Sequence, residues 1–148
     1  MVEPARAGHV YKVDLRNGRP AHYWIVLTDP PMIDPTFIAV SLTDRHNMPA
    51  VDDIWQYGYR LCPGFGLSKP SVLKLDYAVL QTQSWLDRHQ AEFVCLCTDE
   101  SLRRARCNVI WYQQFLPPKV RRFATSRFAV WDLDCGPPPR RGTPDSPV

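Results

Sequence analysis

The residues best able to do chemistry are scattered singly along the chain. His22 opens an apolar run; an imidazole titrates near neutral pH and can give or take a proton. At that place it is either a hydrogen-bonded strand-edge histidine or a catalytic one. Thr43, Asp44 and Arg45 follow a second apolar run. Thr and Asp readily bond local backbone at turns; alternatively Thr43 contacts a phosphate and Arg45 is an electrostatic clamp. Lys69, just before Pro70 and Ser71, is a solvated lysine or a phosphate contact. Further on, Lys119, Arg121, Arg122 and Arg127 interleave with Phe123 and Phe128, the composition used for single-stranded nucleic acid. That cluster serves equally as a basic arm on an acidic partner. Arg103, Arg104 and Arg106 read as a solvated helix face.

Metal chemistry finds little support. The five cysteines, Cys62, Cys95, Cys97, Cys107 and Cys135, include one C-x-C pair and no second ligand pair at zinc spacing. The segment Met1 to Ala7 has no apolar run, so no signal peptide is expected. The thiols therefore read as free, buried and cytosolic. No metal or other cofactor is expected.

The elements that hold these residues are short. The chain has 148 residues, 45% of them apolar, enough for one domain with a core. No stretch is long and apolar enough to span a membrane. Fifteen prolines argue against a helix bundle and for short strands and loops. The net charge of +3 permits a nucleic-acid partner without demanding one. Strands are predicted over 9–15, 22–28, 36–43, 55–62, 72–81 and 93–97, from alternation or from continuous β-branched and aromatic runs. Asn17-Gly18 and Pro63-Gly-Phe-Gly66 mark turns. Within the strand over 72–81, Tyr77 is expected in the core, the alternative being a ring that stacks on RNA. The period then changes. Thr98 followed by Asp99 and Glu100 is a helix start, and Leu102, Ala105, Val109 and Tyr112 recur at helical spacing until Pro117-Pro118. One late helix over 99–115 is expected, with 127–133 a last strand or extended arm. Trp24 belongs in the core, and Trp111 covers the sheet or forms a dimer seam. The fold class is thus mainly β with one late helix, a small antiparallel barrel. The domain ends near residue 118. A basic, aromatic extension packed on the barrel follows over 119–135, and a disordered Pro-rich tail over 136–148.

Four stretches, taken in order, resemble one family. Gly8-His-Val-Tyr-Lys-Val-Asp-Leu15 is similar to the opening strand of the PemK/MazF/Kid toxins. Trp24-Ile-Val-Leu-Thr-Asp-Pro30 resembles their second strand. Phe37-Ile-Ala-Val-Ser-Leu-Thr43 resembles their third, which ends in a functional threonine. Lys69-Pro-Ser-Val-Leu-Lys-Leu-Asp-Tyr77 is similar to a segment of divergent members. The resemblance spans about 8–112. It implies an SH3-like barrel, usually a homodimer, neutralised by an antitoxin protein. It also implies metal-independent cleavage of single-stranded RNA in the cytoplasm, leaving a 2′,3′-cyclic phosphate and a 5′-OH. With this resemblance His22, Thr43 and Arg45 are the candidate catalytic residues and Arg19, Lys69 and Ser71 candidate RNA contacts; Arg121 and Arg122, beyond the resemblance, join them from the basic and aromatic cluster. The family's arginine falls near His22 when Trp24-Ile-Val-Leu27 is aligned; Arg19-Pro20 offers an alignment shifted by three. The family's acidic residue after the opening glycine is His9 here. With the arginine lost, the alternative is a non-catalytic barrel that binds nucleic acid or a protein.

Overall fold

In the computed structural model, which describes residues 4–15, 21–30 and 36–140, one antiparallel sheet forms the frame. Its strands are β1 (His9–Val13), β2 (His22–Val26), β3 (Thr36–Asp44), β6 (Ser71–Leu73), β7 (Val79–Thr82) and β8 (Glu92–Leu96). The order is β6-β3-β2-β1-β8, and β7 also pairs with β3. A separate two-stranded hairpin joins β4 (Arg60–Cys62) and β5 (Phe65–Gly66) across Pro63-Gly64. Gly64 takes a positive φ of 79°, a conformation that L side chains avoid.

Both faces of the sheet are covered, which is why β2 and β3 are apolar almost without interruption. Val10, Ile25, Ile38 and Val40 face one core; Tyr11, Trp24, Val26, Phe37 and Ala39 face the other. The alternation along each strand follows from the pleat. The second core is closed by α1 (Gln83–Arg88), whose Trp85 meets Trp24 edge to face at 5.4 Å. The first is closed by α2 (Asp99–Trp111), α3 (Pro118–Thr125) and α4 (Phe128–Trp131), which contribute Ala105, Val109, Val120, Ala124 and Trp131.

Several expectations are corrected. The architecture is mixed, with four α-helices among the described residues rather than one late helix. Among the described residues no ladder joins β8 to β6 or β7, so the sheet is open and no closed barrel forms. The late helix starts as expected: Thr98 Oγ1 accepts from the Ser101 N–H at 3.0 Å. It ends earlier, at Trp111, and a 3-10 turn follows at Gln113–Phe115. Pro118 starts α3, because at a first helical position its missing N–H costs nothing. The segment over 127–133 is mostly the short helix α4, which puts Trp131 in the core. The strand expected over 72–81 is broken by a 3-10 turn at Leu75–Tyr77. A straight strand would divide its apolar residues between two faces. The turn lets Val72, Leu73, Leu75 and Ala78 all enter the first core and ejects Tyr77, which is 55% exposed rather than buried.

The thiols are corrected too. Cys62 is bonded to Cys95 and Cys107 to Cys135; Cys97 is the free cysteine and is buried. Burial pushes its thiol up to about 11. Nor is the arginine face of α2 simply solvated. Arg104 forms a two-pronged ion pair with buried Asp53, at 2.9 and 2.7 Å. Arg106 donates twice to Leu27 O and lies over the Trp131 ring at 5.1 Å. Arg103 donates to Asp134 O. No helix among the described residues is long and apolar enough to cross a membrane.

Candidate functional site

The ends of β2 and β3, the turn before β6 and the 3-10 turn after it surround one cleft of about 710 Å³. Its position follows from register. The β2–β3 ladder runs from Val26 opposite Ala39 to Trp24 opposite Ser41, so the His22 end of β2 and the Thr43 end of β3 leave the sheet on the same side. On the far edge of β3, Thr43 pairs with Val72 and Asp44 with Ser71. Three segments distant in sequence thus bring His22, Thr43, Lys69 and Ser71 to the same cleft.

The hydrogen bonds say what each group has to offer. His22 Nδ1 lies 3.3 Å from Leu42 O. A carbonyl oxygen only accepts, so Nδ1 is the donor in that contact; in the neutral ring this leaves the lone pair on Nε2. Thr43 is buried, and its Oγ1 accepts from Asn47 Nδ2 at 3.0 Å, which leaves the hydroxyl hydrogen to donate. Ser71 donates to Lys69 O at 3.0 Å, so its own hydrogen is used locally. Lys69 is exposed at the rim.

Other groups in the cleft are not obvious from sequence. Lys74 Nζ donates to Asn47 O at 2.9 Å and to Asp76 Oδ2 at 3.2 Å, and lies 4.5 Å from the centre of the Tyr77 ring. The signal for it was a Lys-Leu-Asp triplet inside an apolar run. Tyr23 and Phe65 meet edge to face at 5.1 Å and form an apolar wall. Asp44 is the carboxylate of the lining. The His46 backbone N–H donates to its Oδ1 at 2.9 Å and holds its pKa below the usual value, helped by His46, Lys69 and Arg45.

Not every expected residue is here. Arg45 is exposed in the 3-10 turn Arg45–Asn47 and does not line the cleft. Arg121 and Arg122 are exposed on α3, with Arg121 donating to Leu116 O at 3.3 Å, and neither lines it. Arg19 and the Asn17-Gly18 turn lie outside the described residues, as do residues 141–148 of the Pro-rich tail. Among the described residues no three His, Cys, Asp or Glu side chains are grouped as a metal would need.

Compared with family models, with curated proteins and with solved structures, the chain matches none of them.

Proposed function

We propose that this chain is a metal-independent endoribonuclease that cleaves single-stranded RNA, built on an opened SH3-like arrangement of the PemK/MazF toxin type. The support is the convergence of His22, with its Nδ1 tied to Leu42 O, and Thr43 and Lys69 in one cleft. Such a site provides the parts that 2′-OH attack on phosphorus requires. His22 Nε2 takes the 2′-OH proton and O2′ bonds to phosphorus. The bond to O5′ breaks, and the leaving oxygen takes a proton from solvent. The Thr43 hydroxyl donates to a non-bridging oxygen. Lys69 and Lys74, rather than Arg45, offset the charge of the phosphate. The reading carries with it a protein antitoxin as partner, a homodimer, and action in the cytoplasm.

The test uses purified protein and mixed-sequence single-stranded RNA in EDTA. Fragments with 2′,3′-cyclic phosphate and 5′-OH ends are expected, and His22→Ala should slow their release by roughly 100-fold or more. Absence of cleavage, or cleavage indifferent to His22, removes the proposal. A second reading, binding without turnover, is favoured by one observation: no arginine is among the described residues lining the cleft. RNA retention with no cyclic-phosphate product would select it.

A further inference from the structure

We infer that Tyr77 is a stacking platform for one unpaired nucleobase of the bound strand; this rests on the RNA reading of the cleft and deepens it. Tyr77 is a large ring that folding leaves 55% exposed, and it lines the same cleft as His22 and Thr43. Its neighbours hold it firmly. Leu75, two residues earlier in the same 3-10 turn, is fully buried in the first core. That turn packs against the later 3-10 turn, Gln113–Phe115. Lys74 Nζ sits 4.5 Å from the ring centre and is itself bound to Asn47 O and to the Asp76 carboxylate. The backbone that carries the ring is therefore in place before a ligand stacks on it.

The chemistry of this corner suits a nucleotide. Every base offers a π-face, and stacking on an aromatic side chain is tolerant of sequence. Lys74, held by Asn47 O and the Asp76 carboxylate, keeps a positive charge beside the ring, where the phosphate of a stacked nucleotide would lie. A base inside a duplex has both faces covered, so the platform selects an unpaired strand. Tyr77 acts on binding and on the choice of strand and takes no part in the proton transfers.

The probe is a labelled 2′-O-methyl oligonucleotide, which has no free 2′-OH and is not cleaved, together with the same oligonucleotide made wholly abasic. Wild type, Tyr77→Ala and Tyr77→Phe are titrated with both. Tyr77→Ala should weaken binding of the base-bearing strand by roughly tenfold and leave the abasic strand unchanged; Tyr77→Phe should bind both like wild type. An equal loss on both strands, or no loss, overturns the platform while leaving the RNA reading intact. Failure of wild type to bind either strand removes the RNA reading and the platform with it.

Discussion

Replacing Asp53 with alanine should unfold the protein far more readily than its place in a polar loop suggests. Asp53 is 3% exposed. Its carboxylate accepts from Arg104 Nε and Nη2 at 2.9 and 2.7 Å, and from Asn108 Nδ2 at 2.7 Å. Arg104 in turn donates to Ile54 O and lies 4.8 and 4.9 Å from the Trp55 and Tyr59 rings. Removing the carboxylate leaves a guanidinium and an amide among apolar rings without the acceptor that compensates their desolvation. Breaking a buried pair from one side costs about 3–5 kcal/mol, against a total stability of about 5–15 kcal/mol. For a chain of this size that is a fall in Tm of roughly 10 °C. The effect should reach the cleft as well. Trp55, two residues on, exchanges backbone hydrogen bonds with Ser71 at 2.7 and 2.8 Å, and Ser71 lines the cleft. Urea unfolding followed by tryptophan fluorescence reads the loss. The double variant Asp53→Leu with Arg104→Met should recover most of it, since apolar replacement of a whole buried pair is often neutral. A single-variant loss below about 1 kcal/mol would refute the reasoning, because only solvent-screened pairs are worth so little.

Three further outcomes concern the cysteines. The folded state holds the Cys97 thiol at about 11 against an ordinary 9.0, so the unfolded chain ionises first. Cys97 should then contribute stability in full below pH 9, lose it progressively as pH rises through 11, and give Cys97→Ala a flatter profile over that window by about 2–3 kcal/mol. Equal profiles measured by urea unfolding would contradict this. The Cys107–Cys135 bond closes a separation of 28 residues. Replacing both with alanine should cost about 3.5 kcal/mol in the chain-entropy account. Thiol titration of the unfolded, unreduced protein should find one reactive group, Cys97; five would contradict both pairings.

How much was legible in advance varies with the distance between partners. The helix start at Thr98 rests on a contact three residues long, Thr98 to Ser101, and the sequence displays both halves of it. The strands β1 to β3 were readable because pleating converts residue order directly into faces. The strand over 72–81 was misread because a regular alternation there competes with the pull of one core on four apolar side chains, and burial of Leu75 wins over strand continuity. Lys74 was not placed at the cleft, and Tyr77 was favoured for the core over base stacking, for the same reason: the turn that exposes them competes with a regular alternation.

Residue order alone thus determined which segments are extended, which face of each is apolar, where α2 begins, and that polar side chains stand at the ends of β2 and β3. The tertiary structure decided the rest. It chose Cys62 with Cys95 and Cys107 with Cys135, paired Arg104 with Asp53 across 51 residues, and made helices of the chain after Pro118. It brought His22, Thr43 and Lys69 to one cleft while leaving Arg45 outside. Local periodicity is written in neighbouring residues. The meeting of distant ones depends on which closed loops bury the most apolar surface, a choice made by the whole chain at once.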